Sequence, residues 1–171
     1  MSAIDDKYAA LGGPHGFLGQ PFDVGAGSNE MPTADGKGRC RDFEHGSIYW
    51  SPQTGACEVH GDIRIKWAQL GGERGFLGFP LTDELGTPDG RGRFNHFQGG
   101  SIYWTPQTGA HEVHGAIREK WASMGWERSR LGFPISDEHT PPGWHGRATT
   151  FEGGTILWTP ERGAEVRWRI D

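Results

Sequence analysis

The densest chemistry in the sequence is the run His111-Glu112-Val113-His114, with His96 upstream of it. Two imidazoles around a carboxylate invite comparison with the zinc-peptidase motif, in which two histidines four apart share one helical face and a glutamate follows the first. Here the spacing is three, and the surrounding residues read as a β-strand, where positions i and i+3 point to opposite faces. Matching positions elsewhere hold Cys57 and His60, and a third copy has neither histidine. No metal site and no cofactor are therefore expected. Acid–base work needs two carboxyl groups brought together in space, and Asp83-Glu84 with Asp137-Glu138 are the candidates. Neither a Gly-x-Ser-x-Gly sequence nor a phosphate-cradling loop occurs.

Arginine and glutamate recur more regularly: Arg39, Arg93 and Arg147 each follow a glycine, and Glu58, Glu112 and Glu165 each precede a valine. A guanidinium and a carboxylate match bidentately, so these are expected either to pair within one small sheet and fix its register or to line a site. Trp50, Trp104 and Trp158 recur as well. Aromatic rings beside Asp, Glu, Arg and His suit sugars, whose C–H faces pack on rings while their hydroxyls hydrogen-bond. Tyr49 and Tyr103 fall on the opposite strand face from the tryptophans and are expected to be better exposed. The candidate ligand-binding set is thus Tyr49, Trp50, Tyr103, Trp104, Trp158, Arg39, Arg93, Arg147, Asp83, Glu84, Asp137, Glu138, His111 and His114, with no catalytic residue among them.

The elements that must position these residues are repeated. Leu77-Gly78-Phe79-Pro80 returns as Leu131-Gly132-Phe133-Pro134 and, in weaker form, as Leu18-Gly19-Gln20-Pro21. Trp50 to Trp104 and Trp104 to Trp158 are each 54 residues, whereas Leu18 to Leu77 is 59, so the first copy carries a five-residue insertion. A fixed period of this size marks a repeat architecture. Each copy opens with an apolar i, i+4, i+7 stripe (Ile4, Tyr8, Leu11; Ile63, Trp67, Leu70; Ile117, Trp121, Met124) that predicts a short helix. Gly12, Gly71 and Gly125 suit the left-handed residue that ends one. The Leu-Gly-Phe-Pro segment reads as a buried corner, since leucine, phenylalanine and proline offer no chemistry. After it, the first copy has Val24-Gly25 where the others have Asp-Glu, and the loop that follows varies. Ser47-Ile48-Tyr49-Trp50 and its copies read as the middle strand of a three-stranded antiparallel meander.

These spaced positions resemble the LGFP-repeat proteins. The second copy matches nearly throughout, at Trp67, Gly71-Gly72, Leu77 to Pro80, Gly92-Arg93, Phe97, Gly100 to Trp104, Pro106 and Thr108 to His111. The resemblance implies modules, appended to secreted actinobacterial cell-wall enzymes or standing alone, that bind envelope glycan. The expected fold is α+β and β-rich: one domain, 1–171, of three repeats (about 1–60, 61–114 and 115–171), each a short helix plus meander, closed around a pseudo-threefold axis.

Composition narrows the partners. The net charge is −5 with no basic run, which argues against nucleic acid. No apolar stretch is long enough to span a membrane. The 29 glycines and 11 prolines fall at fixed places in each copy, as defined turns require. Cys40 and Cys57 belong on the two outer strands of one meander and are expected to be free thiols. The N-terminal residues lack a basic region and an apolar core, so no signal peptide is expected here, and a cytoplasmic location stays open beside the extracellular or wall-associated one the resemblance implies. The reading is a monomeric, non-catalytic module for wall polysaccharide with up to three weak, related sites. The alternatives are a small enzyme with its site at the ring centre or between repeats, centred on His96, His111 and His114, and a structural or protein-interaction module.

Overall fold

Helices this short do not stand alone, and local chemistry sets their limits. In the computed structural model, which describes residues 2–22 and 30–170, α1 spans Ala3–Ala10, α2 Gly61–Gln69 and α3 Gly115–Met124. Ser2 starts α1 with a capping box: its Oγ accepts the Asp5 N–H at 3.0 Å, and the Asp5 carboxylate accepts the Ser2 N–H at 3.3 Å. As expected, each helix is ended by a left-handed glycine, at φ +102° (Gly12), +104° (Gly71) and +111° (Gly125). A 3₁₀ turn then follows each one, an element the apolar stripe gives no sign of.

The Leu-Gly-Phe-Pro segment is the buried corner expected of it. Leu18, Leu77 and Leu131 are all buried, and each following glycine carries a positive φ. That conformation turns the glycine carbonyl back toward the helix. Tyr8 donates its hydroxyl to Gly19 O (2.7 Å), and Trp67 and Trp121 donate Nε1–H to Gly78 O (3.0 Å) and Gly132 O (3.2 Å). The prolines then open the sheets through single antiparallel bridges to Phe43, Phe97 and Phe151.

The chain is α+β with three antiparallel sheets. The first holds β1 (Met31–Pro32), β2 (Arg39–Phe43), β3 (Gly46–Ser51) and β4 (Gly55–His60) in sequential order. The second holds β5 (Leu85–Gly86), β6 (Arg93–Phe97), β7 (Gly100–Thr105) and β8 (Gly109–His114). The third is the plain meander of β9 (Arg147–Phe151), β10 (Gly154–Thr159) and β11 (Gly163–Trp168). The expected three strands are thus joined by a two-residue fourth in the first two repeats. In the third, that place is reduced to one bridge between His139 and Ala148. Val24 and Gly25 lie outside the described residues.

Packing divides the chain into two compact units, Met1–Leu85 with Asn95–Gln98, and Gly86–Phe94 with Gly99–Asp171. In the first, Ile4, Leu18, Phe43 and Ile48 form a core with Tyr8 and Trp50 against it. In the second, Trp121, Leu131, Phe133, Phe151 and Ile156 do the same. The helical tryptophan serves two sheets at once. Trp67 meets Tyr49 edge-on at 4.7 Å and stacks on Phe97 at 5.7 Å. Trp121 meets Tyr103 at 4.8 Å and Phe151 at 5.2 Å. Both faces of β3 are therefore covered, one by α1 and its core, the other by α2. Truncating so buried an indole costs about 3–5 kcal/mol.

Cys40 and Cys57 both pair with Tyr49, from either side of β3. Two strand spacings of about 4.8 Å separate them, beyond the reach of a disulfide. Both are buried free thiols, as expected.

Candidate functional site

Where one repeat runs into the next, a glutamate from the last strand, a histidine at the helix start and the Asp-Glu pair beyond the corner form one network. In the second unit, Glu112 Oε2 accepts from His114 Nδ1 at 2.6 Å, and Glu112 Oε1 accepts the Glu138 N–H at 2.9 Å. The Glu112 N–H is held by Asp137 Oδ1 at 3.1 Å. His114 Nε2 lies 3.4 Å from Glu138 Oε2, which also takes Arg147 Nε–H at 2.9 Å. In the first unit the pattern repeats: Glu58 to His60 (2.6 Å), Glu84 N–H to Glu58 (2.8 Å), Glu58 N–H to Asp83 (2.9 Å) and His60 to Glu84 (3.3 Å). His60 and His114 are the N-cap residues of α2 and α3, yet neither caps its helix with its side chain, which is turned to the glutamate instead.

The strand glutamates are buried, and burial of a lone carboxylate is costly unless it is paired and hydrogen-bonded. Each has a backbone donor and an imidazole. The Glu112 hydrogen bond raises the His114 pKa above the ordinary histidine range against the opposing effect of burial, with Glu138 adding to the rise and Arg147 opposing it. The His114 ring thus stands between two carboxylates, which favour its charged form.

Beside it lies a cavity of about 210 Å³ lined by His114, Ile117, Glu138, Arg147 and Trp158 among others. Four residues of the sequence-derived set meet here. Arg147 is exposed, and Trp158 is half-buried with its ring packed on the core of the unit. A second concavity, of about 360 Å³, lies at the Leu157 face of the third sheet between Trp144, His145, Arg162, Glu165 and Arg167.

The remaining candidates fall as follows. Asp83 pairs with Lys7 at 2.8 Å. His111 bonds Asp137 at 3.1 Å and the Thr108 carbonyl at 2.8 Å, so the two histidines of the run serve different carboxylates. Arg93 is exposed, and Trp50 and Trp104 are half-buried. The expected exposure of the tyrosines is corrected: Tyr103 is 3% exposed and Tyr49 is half-buried. Burial raises both phenol pKa values, and the helical tryptophans cover both rings.

For Arg39 and Arg147 the expected pairing with the recurrent strand glutamates is corrected too. Arg39 bonds Glu30 through Nε at 3.2 Å and the Glu30 carbonyl at 3.0 Å, and Arg147 bonds Glu138. Glu165 has Arg162 at 3.8 Å. The arginine stands on the first meander strand and the glutamate on the third, with a strand between them, whereas the loop glutamate lies alongside the arginine.

Two residues were missed. Glu30, which also accepts from Ser2 Oγ, does in the first repeat what Glu138 does in the third. It lies 54 positions before Glu84, so counting the period backward across the insertion would have found it. Trp144 packs against Gly146 where Phe79 packs against Gly38 and Phe133 against Gly92; it has no counterpart in the other loops. Among the described residues, no group of three or more His, Cys, Asp or Glu is arranged to hold a metal ion.

A family model described as the LGFP repeat matches residues 27–75, 77–129 and 131–169. No curated protein matches the chain.

Proposed function

The chain belongs to the LGFP-repeat family, and from that premise we propose that it is a non-catalytic module attaching to cell-wall polysaccharide. The observation that carries the reading is the cavity in which Trp158 stands beside Arg147, Glu138 and His114. An indole offers a face to the C–H side of a sugar ring, and the Arg147 guanidinium and Glu138 carboxylate offer a donor and an acceptor to its hydroxyls. The family's association with cell walls supports the same reading. Up to three such weak sites, acting together on one polymer, would raise avidity without any being tight.

The histidine argues against catalysis. A general base needs a nitrogen lone pair directed at its substrate. Both nitrogens of His114 face carboxylates, and His111 is likewise engaged at both.

Location at the wall belongs to the same proposal. Among the described residues no helix is long and apolar enough to cross a membrane. Closure of the three repeats about a pseudo-threefold axis is likewise proposed, and small-angle scattering showing an extended particle would refute it.

Retention on insoluble actinobacterial cell-wall preparations, with soluble polysaccharide as competitor, tests the function. The expected result is retention that the competitor reverses and that Trp158→Ala reduces at least fivefold in a folded protein. No retention on any of several wall types overturns the reading.

A further inference from the structure

The first unit contains a cleft of about 500 Å³ lined by Asp35, Lys37, Gln53, Glu73, Phe79 and Gln98 among others. Adding 54 to each number gives Asp89, Arg91, Gln107, Glu127, Phe133 and Glu152 in the second unit, so the same ground exists twice with two decisive differences. In the second unit it is crossed by a fork: Arg91 Nη2 and Nη1 donate to Glu152 at 2.8 and 3.3 Å, with the guanidinium 5.1 Å over the Phe133 ring. In the first unit lysine replaces that arginine and glutamine replaces that glutamate.

The anchoring half of the contact survives the exchange. Gln98 Oε1 accepts the Phe79 N–H at 2.9 Å, as Glu152 Oε1 accepts the Phe133 N–H at 3.0 Å. The other half does not, since an ammonium and an amide nitrogen are both donors and cannot bond one another. Among the described residues Lys37 has no ion-pair partner. Glu73 is half-buried where Glu127 is buried, and among the described residues its carboxylate receives only a long 3.4 Å contact from the Ala34 N–H. Asp35 is fixed by Thr33 Oγ1–H at 2.6 Å and the Lys37 N–H at 2.9 Å.

We propose that this cleft is a second glycan subsite, present in the first unit because the Arg–Glu fork that crosses its counterpart is missing there, and that it takes a neutral, hydroxyl-rich sugar residue. The proposal rests on the polysaccharide reading above. The class follows from the lining: carboxylates accept from hydroxyls, the Lys37 ammonium and Gln98 amide donate to them, and the Gln53 amide does both. With Asp35 and Glu73 against one lysine, an anionic sugar would be repelled. The Trp158 cavity offers an indole face, whereas carboxylates, amides and an ammonium predominate around the cleft, so it makes a chemically distinct contact with the same polymer.

Internal repetition supplies the test. The full chain would be titrated with neutral hexose, pentose and N-acetylhexosamine disaccharides and with a uronate disaccharide, following assigned Gln53 and Gln98 side-chain amide signals and the Trp158 indole signal by NMR. Saturable shifts at Gln53 and Gln98 with a neutral sugar are expected. The Lys37→Arg/Gln98→Glu variant, which installs the fork, should weaken that response at least tenfold and leave the Trp158 response unchanged. The reverse variant, Arg91→Lys/Glu152→Gln, should create a response at Gln107. Both variants use residues the chain already carries at equivalent positions, and a thermal melt verifies folding. Should the fork variant misfold, the wild-type shifts decide alone. Silent Gln53 and Gln98 signals beside a responding Trp158 overturn the subsite and leave the polysaccharide reading intact. Silence at all three signals, with no retention on walls, overturns both. A cleft preference for the uronate, or a fork variant that binds unchanged, overturns the proposal.

Discussion

Replacing Glu112 by alanine should destabilise the protein by about 3 kcal/mol at pH 6. The carboxylate is 2% exposed and bonds two donors, the Glu138 N–H at 2.9 Å and His114 Nδ1 at 2.6 Å. Each buried donor left without a partner costs about 1–3 kcal/mol, and breaking a buried ion pair costs about 3–5 kcal/mol. The lower end applies because the His114 side chain is 28% exposed and water recovers part of the loss. Glu112→Gln keeps an acceptor for the Glu138 N–H but exchanges a charge-assisted bond for a neutral one, so it should cost only about 1 kcal/mol. The pH dependence separates the charge from the packing. Because the folded-state pKa of His114 is raised, the clasp's stabilisation is complete below the unfolded histidine value of about 6.5. It is lost as pH rises through the folded value. The gap between wild type and Glu112→Gln should therefore be widest at pH 6 and narrow toward pH 9. Urea unfolding at three pH values measures it, and hydrogen exchange of the Glu138 amide reports the local bond. A cost below about 1 kcal/mol for Glu112→Ala would refute the reasoning, as would a gap that widens with rising pH.

Trp126 has φ +60°, where the other repeats place Gly13 and Gly72, and a left-handed side chain costs roughly 1–2 kcal/mol. Its indole sits 5.3 Å from Trp121 and beneath the Arg118 guanidinium. Trp126→Gly and Trp126→Ala lose this packing equally, so the glycine variant should be the more stable by about 1 kcal/mol in urea melts, and an alanine variant of equal stability would remove the strain argument. For Cys40 and Cys57, burial raises each thiol pKa to about 11, leaving about 0.1% thiolate at pH 8. An alkylating reagent at that pH should label neither in the folded protein and both in urea; labelling of the native chain at the rate of a small thiol would show the sheet does not exclude the reagent.

What the sequence disclosed depended on whether a property repeats or is relational. The 54-residue period, the left-handed glycines and the buried corner were all legible, because each is dictated by residues adjacent in the chain. The burial of Tyr103 and the half-burial of Tyr49 were not. Alternation along a strand says that tyrosine and tryptophan take opposite faces, but not that Trp67 and Trp121 of the following helix cover the tyrosine face. The arginines failed for a different reason: the meander already put a strand between Arg39 and Glu58, but recurrence did not point to the loop glutamate, Glu30, that lies alongside the arginine. Glu30 was within reach by counting the period backward, and the insertion hid it only from a count forward of Leu18. Lys37 and Gln98 show the opposite limit. Each is an ordinary surface substitution, and only the Arg91–Glu152 fork at the equivalent place reveals what their joint presence does. In a repeat protein, function is therefore best sought where two copies of one geometry differ by a coupled pair, since a shared residue can be explained by the fold alone.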